Sequence, residues 1–124
     1  MLNLYTTFYF TKHALTYMDI NNFGRVISIG AKPAVETTAR KFAYSFSKSG
    51  VVNLMNTLAL EYKDKDFIFN TIIPNIIDTP ANRQSMPNAD FNNWITPEAI
   101  AEKCLELVSD EEKKFNGAVV KMYS

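Results

Sequence analysis

The chain has 124 residues, enough for one domain with a buried core, and its 13 basic side chains balance its 13 acidic ones. This neutrality, without a basic stripe, argues against nucleic-acid binding as the main function. The single cysteine, Cys104, excludes an internal disulfide. No apolar run is long enough to cross a bilayer, so we expect a soluble, cytoplasmic protein that does not bind membranes.

The first elements in chain order are a helix, a strand and a second helix. Apolar side chains at helical spacing, Phe8 among them, predict a helix over residues 3–18. The β-branched run 25–29 predicts a strand, and a loop follows it. A second helix is predicted over residues 41–62. Its apolar residues, including Phe46, cover much of its circumference, so we expect it to be buried on more than one side.

The next element is a second strand, predicted over residues 67–73. It is almost continuously apolar, which is typical of a parallel strand covered on both faces. Residues 75–94 then predict a long irregular loop, and a loop of this length in a compact domain is usually functional or mobile.

The last elements are a helix and a short strand. Thr96 as N-cap and Pro97 in the first turn predict a helix that runs to Ser109, with Val108 among its inward residues. Residues 117–123 predict the final strand.

The alternation of helices and strands predicts an α/β fold with a parallel sheet. We interpret residues 1–124 as one partial domain, the C-terminal half of a doubly wound, Rossmann-like sheet with about three strands and three flanking helices. Such a fold has a glycine fingerprint after its first strand, and the four glycines of this chain do not form one. The nucleotide-binding half is therefore predicted to be absent.

One pair of residues suggests a catalytic role. Tyr44 and Lys48 lie four residues apart, on one face of the second predicted helix. Because the chain has six tyrosines and ten lysines, a tyrosine followed four residues later by a lysine is common by chance. Taken alone, the pair predicts only a tyrosine in the core and a lysine at the surface. Its context is more specific, because the helix follows a β-branched strand and the next strand ends at Pro74, before the sequence IIDTP.

This arrangement resembles the short-chain dehydrogenase/reductase family, over essentially the whole chain but only the C-terminal half of the family's domain. The resemblance places Asn3 at the position of the asparagine that completes the family's catalytic tetrad. Asn75 stands where the family usually has glycine. Ala31, thirteen residues before Tyr44, stands where the family has its catalytic serine. The ordinary carbonyl-reducing triad is therefore broken.

The stretches SIGAKPAV and DTPANRQSMPNADFNNW are similar to the branch of this family that reduces quinonoid dihydropteridines without that serine. The resemblance implies NADH or NADPH as cofactor and a small pterin-like substrate. Tyr44 would act as the general acid, with Lys48 binding the nicotinamide ribose and favouring the phenolate by its charge. The implied cofactor contacts are Tyr44, Lys48, Pro74, Ile76, Ile77 and Thr79. The implied substrate contacts are Ala31, Met86, Phe91 and Trp94.

Without the other half of the domain, we expect weak cofactor binding, or none, by this chain alone, and an unpaired edge on strand 25–29. Two alternatives stay open. The chain could be a non-catalytic fragment that forms a homodimer through helices 3–18 and 41–62, or that pairs with a separate N-terminal half. It could also reduce another small substrate of the same family.

The remaining polar residues give little indication of function. Glu36 and Arg40 flank the loop after the first strand and could touch a substrate. His13 is predicted to be an exposed polar residue and Cys104 an unreactive core thiol. No cluster of His, Cys and carboxylate residues has metal-ligand spacing, so no metal is expected.

Overall fold

The computed structural model describes residues 2–36, 39–111 and 113–123. Its helices are α1 (Leu2–Asn21), α2 (Phe42–Glu61), α3 (Pro80–Ser85) and α4 (Pro97–Val108). Its strands are β1 (Gly24–Ile29), β2 (Phe67–Pro74) and β3 (Val119–Met122), and short 3-10 turns span Lys32–Ala34 and Phe91–Asn93. Helices and strands alternate along most of the chain, as the sequence predicts.

The three strands form one parallel sheet in the order β1-β2-β3, which confirms the predicted α/β fold. β1 pairs with β2 in a register that begins at Gly24 and Phe67. β2 pairs with β3 in a register that begins at Thr71 and Val119. Every residue of β2 is buried, because this strand has a neighbour on both sides. β1 lies at one edge of the sheet, and β2 is its only partner in the described part of the chain.

The core lies between the sheet and the helices α1 and α2. Two fully buried phenylalanines of β2, Phe67 and Phe69, contact buried side chains of both helices. The core cluster consists of Met18, Met55, Leu58, Ala59, Phe67 and Phe69. Fully burying an aromatic side chain contributes on the order of 2–3 kcal/mol to folding, so β2 and α2 account for much of the stability of this chain.

Two polar contacts join β1 to β2. The hydroxyls of Ser28 and Thr71, both buried, lie 2.8 Å apart in the middle of the sheet. At the amino end of the strands, the Asp66 carboxylate lies 2.9 Å from the Arg25 guanidinium and 3.1 Å from the Lys113 ammonium. Hydrogen bonds from Lys113 and Arg25 hold the pKa of the Asp66 carboxyl below its ordinary value.

Two predictions of burial are wrong. Phe46 on α2 and Val108 on α4 are 52% and 39% exposed, and Phe8, which was predicted only to be helical, is 45% exposed. α2 is therefore not buried on more than one side, because a three-stranded sheet with α1 covers only part of its circumference. Apolar spacing identified these positions as helical but could not show which of them face another element.

The structure has a fourth helix that the sequence interpretation did not include. α3 lies in the segment 75–94, which was predicted to be irregular throughout. The Thr79 hydroxyl accepts a hydrogen bond from the Asn82 amide at 3.2 Å, and Pro80 occupies the first turn. The predicted N-cap of α4 is confirmed, because the Thr96 hydroxyl accepts from the Ala99 amide at 3.2 Å.

Candidate active site

Tyr44 and Lys48 lie on the first two turns of α2. The Lys48 ammonium is 6.0 Å from the centroid of the Tyr44 ring, within the range of a cation–π contact. Tyr44 is 45% exposed, and Lys48 is half-buried. Helical geometry brings the phenol and the ammonium together, as residues four apart share a face. The phenol is accessible to a ligand.

Lys48 lines a groove of about 940 Å³ between α1 and the open edge of β1. Asn3, Ser28 and Ile29 line the same groove. Tyr44 is not among its lining residues and borders a separate shallow depression with residues 40–43. The structure therefore brings Lys48, but not Tyr44, into one cavity with Asn3.

The loop after β1 begins at Ala31, which is extended and half-buried. Contacts with α2 and with Tyr123 hold this loop in place. The Ser49 hydroxyl of α2 donates to the Ala34 carbonyl at 2.8 Å. The Tyr123 hydroxyl, just after β3, donates to the Glu36 carboxylate at 3.0 Å. Burial and this carboxylate raise the pKa of Tyr123. The sequence interpretation missed Tyr123 because nothing in the sequence linked it to residue 36.

The residues predicted to contact the cofactor follow β2, in a segment that is held by hydrogen bonds. Pro74 is the last residue of β2 and is buried, whereas Ile76 is 39% exposed. Ile77 forms a parallel bridge with Ile95. The Thr79 hydroxyl accepts the capping hydrogen bond of α3, and its own proton is free to donate to a ligand. These residues line neither the groove nor the depression beside Tyr44.

Two of the predicted substrate residues contact each other. The rings of Phe91 and Trp94 lie 4.6 Å apart, edge to face. The Arg83 guanidinium stacks 4.5 Å above the Phe91 ring and binds the Asp78 carboxylate through hydrogen bonds of 2.6 and 2.9 Å. The sequence interpretation missed Arg83, although its position within the quoted motif was a usable signal.

The Asp78–Arg83 ion pair shifts the pKa of both groups. The hydrogen bonds from Arg83 hold the pKa of the Asp78 carboxyl below its ordinary value, and Asp78 raises the pKa of Arg83. Both groups therefore stay charged at neutral pH. Met86, the third predicted substrate residue of this segment, is half-buried at the end of α3.

Four further predictions concern His13, Cys104, a metal site and a membrane-spanning helix. His13 is exposed and lines the groove, and Cys104 is half-buried rather than fully buried. In the described ranges 2–36, 39–111 and 113–123, no three His, Cys, Asp or Glu side chains converge as metal ligands. Within the same ranges, no helix has the length and hydropathy needed to cross a membrane.

Comparison with known sequences gives a family match over residues 1–122, to the model described as enoyl-(acyl carrier protein) reductase. The borneol dehydrogenase of Lavandula x intermedia is 32% identical over 121 residues, which cover 94% of this chain and 47% of that protein. The dihydropteridine reductase of Dictyostelium discoideum is 29% identical over 123 residues, which cover 97% of this chain and 52% of that protein. The chain thus spans about half the length of these curated relatives.

Solved structures match the fold over almost the whole chain. An oxidoreductase of the short chain dehydrogenase/reductase family from Burkholderia thailandensis superimposes with a TM-score of 0.85 at 25% identity, covering 98% of this chain and 51% of that one. A 4-hydroxyisoleucine dehydrogenase complexed with NADH superimposes with a TM-score of 0.82 at 21% identity, covering 98% and 54%. Again, about half of each solved chain has no counterpart here.

Proposed function

Because this chain belongs to the short-chain dehydrogenase/reductase family of oxidoreductases, we propose that it forms the active-site half of a reductase that uses NADH or NADPH. The observation that carries the proposal is the arrangement of Tyr44 and Lys48. The phenol is exposed in the first turn of α2, and the ammonium lies 6.0 Å from its ring and lines the groove beside β1.

The proposed chemistry assigns one role to each of these side chains. The Tyr44 hydroxyl donates a proton to the reduced substrate, and the positive charge of Lys48 stabilises the phenolate that remains. Lys48 also binds the ribose hydroxyls of the cofactor from the groove. When bound, the dinucleotide supplies a hydride.

The proposed contacts would hold only the nicotinamide end of the dinucleotide, and they come from two places, since the groove that Lys48 lines does not include Thr79. Lys48 provides a donor for the ribose, and Thr79 has a hydroxyl proton for the carboxamide, beside the predicted contacts of Pro74, Ile76 and Ile77. The four glycines of the chain form no phosphate-binding loop. We therefore expect weak cofactor binding, or none, by this chain alone.

We propose a quinonoid dihydropteridine as the substrate. Ala31 offers a methyl group at the position where a ketone reductase of this family has a hydroxyl, so the substrate is one that needs no such donor. The Phe91–Trp94 pair, with Met86 nearby in sequence, provides apolar surface for a planar ring. The similarity to a protein named dihydropteridine reductase supports the same class, although other relatives carry other names.

A second candidate function is homodimerisation, favoured by the exposed aromatic residues of α1 and α2. Phe8, Tyr9, Phe42 and Phe46 are between 45% and 82% exposed. Exposed apolar surface of this kind marks protein–protein contacts in soluble proteins. We expect the dimer to form in the cytoplasm, and its contact surface to include the outer faces of both helices.

The reductase is tested in a single-chain fusion, in which this chain replaces the matching half of the Dictyostelium dihydropteridine reductase. We expect NADH-dependent reduction of quinonoid dihydropteridine, and a rate about 10²–10⁴-fold lower for Tyr44→Phe, which removes the proton donor. Tyr5→Phe, at an exposed tyrosine of α1, is the matched control and should retain the rate. A Tyr44→Phe fusion with the full rate would contradict the proposal.

Cofactor binding is tested with the isolated chain. Titration with NADH, followed by cofactor fluorescence, should give a dissociation constant in the range of about 1 mM or weaker. Micromolar binding would show that the chain holds the dinucleotide without a partner.

A further inference from the structure

The segment between β2 and α4 is closed at its base by hydrogen bonds between its two ends. The Asp78 amide donates to the Ile95 carbonyl at 2.8 Å, and the Ile95 amide donates to the Ile76 carbonyl at 2.9 Å. The Asn75 side chain donates to the Asn93 carbonyl at 2.9 Å. Residues 79–92 therefore form a loop whose two ends are fixed against each other.

Arg83 of α3 joins this base to the aromatic residues of the loop. Its Nε and Nη2 atoms donate to the two carboxylate oxygens of Asp78 at 2.6 and 2.9 Å, a bidentate geometry that fixes the plane of the guanidinium. The guanidinium carbon lies 4.5 Å from the centroid of the Phe91 ring. One side chain thus contacts two parts of the loop that are distant in the sequence.

Phe91 in turn contacts Trp94. The centroids of the two rings are 4.6 Å apart in an edge-to-face arrangement, and both residues are half-buried. The contact with Arg83 restricts the rotation of the Phe91 ring, and the edge-to-face contact extends this restriction to the indole. A continuous series of contacts therefore runs from the Asp78 carboxylate to the aromatic pair that forms the proposed substrate surface.

We propose that Arg83 is a positioning residue, which holds the Phe91–Trp94 pair in the orientation that binds the pterin ring of the substrate. This inference rests on the proposed function for the identity of that ring. Arg83 acts through Phe91 and does not contact the substrate itself. Its guanidinium is already paired with Asp78 and lies against an aromatic ring, an arrangement that suits the orientation of a neighbour better than the recognition of a charged ligand.

The alternative explanation is an ordinary surface ion pair. The Arg83 side chain is 52% exposed, and exposed ion pairs contribute little to the free energy of unfolding. The hydrogen bonds that close the base of the loop do not involve the Arg83 guanidinium. Removal of this group should therefore leave the fold intact and change mainly the orientation of the two rings.

The first test measures this orientation in the full chain, without cofactor or substrate. The chemical shift of the Trp94 indole N–H in an NMR spectrum depends on the position of the Phe91 ring. Arg83→Gln should move this resonance, while the denaturation midpoint stays that of wild type. Lys103→Gln, which removes a partly exposed ion pair with Glu106 on α4, is the matched control and should change neither.

The second test measures binding of biopterin, an oxidised pterin with a planar ring, to the same chains. The broadening of the pterin proton signals reports the bound fraction. At low occupancy, Arg83→Gln should lower this fraction about tenfold, which corresponds to a dissociation constant about tenfold higher. Arg83→Lys keeps the positive charge but loses the planar fork, so we expect it to bind as weakly as Arg83→Gln. Lys103→Gln should bind like wild type.

The proposal is overturned if Arg83→Gln matches Lys103→Gln in either measurement, or if the wild-type chain does not bind biopterin. It is also overturned if Arg83→Lys restores binding, because the charge and not the position of the rings would then be responsible. Failure of the catalytic assignment is a separate result. A Tyr44→Phe fusion with the full rate would contradict the role of the phenol and leave the role of Arg83 in ring binding as measured.

Discussion

β1 and β2 are neighbouring strands of one parallel sheet, both rich in β-branched residues, yet their burial differs completely. All eight residues of β2 are buried, whereas β1 has two buried residues, Gly24 and Ser28, and ends at Ile29, which is 40% exposed. The difference is one of position, since β2 has a strand on each side and β1 has one. Composition alone does not decide whether a strand is fully covered.

The comparison separates a packed region of the chain from an open one. β2 packs against α1 and α2 in a core of buried side chains. β1 has an open edge, and the helix beside it keeps large aromatic side chains in solvent. We therefore expect the same kind of substitution to have different costs in the two strands.

The largest effect is expected at the centre of β2. Phe69→Ala removes a side chain that is 0% exposed and should lower the free energy of unfolding by about 3–5 kcal/mol. Ile27→Ala in β1, at a partly exposed position that borders the groove, should cost about 1–2 kcal/mol in the chain alone. Chemical denaturation of both variants measures the difference, and equal losses would contradict it.

A smaller effect is expected where the two strands share a polar contact. Ser28→Ala leaves the fully buried Thr71 hydroxyl without its 2.8 Å partner and should lower the free energy of unfolding by about 1–3 kcal/mol. Adding Thr71→Val removes the second hydroxyl as well, so the double variant should regain most of the loss. A double variant that is less stable than Ser28→Ala would show that the contact is not the cause.

The smallest effect is expected at the amino end of the two strands. There the carboxylate of Asp66, just before β2, forms an ion pair with Arg25 of β1. Because the pKa of Asp66 is lowered in the folded chain, its ion pairs stabilise the fold at neutral pH, and this stabilisation is lost as the pH falls through the folded-state pKa. Asp66→Asn should therefore lower stability at neutral pH but not in strong acid, and less at high salt.

Denaturation of wild type and Asp66→Asn between about pH 7 and pH 2 measures this dependence. Asp64→Asn, at an exposed carboxylate two residues earlier, is the control and should show no comparable change. A gap between wild type and Asp66→Asn that persists in acid would mean that the side chain acts through packing.

Much of this fold could be predicted from the sequence because local patterns determined it. The strands, the long helices and the Thr96 cap follow from apolar periodicity and from an N-cap followed by proline. The same Thr-Pro pattern at Thr79 and Pro80 marked α3, but its few residues lack the apolar periodicity that would have identified a longer helix.

Less of the candidate site could be predicted, because its contacts are made between distant parts of the chain. The spacing of Tyr44 and Lys48 is local, and the structure confirms that the two side chains are close. The bond between Tyr123 and Glu36 joins segments 87 residues apart, and no sequence pattern linked them. The exposure of Phe8 and Phe46 depends on which neighbours are present, and periodicity carries no information about that.

The Phe91–Trp94 pair has a practical consequence for optical spectroscopy. Trp94 is the only tryptophan of the chain, and it lies in the segment that follows β2, half-buried against Phe91. Excitation at wavelengths that tyrosine does not absorb therefore reports on this segment alone. Changes in the emission maximum or lifetime of the indole give a label-free signal for events at this one location.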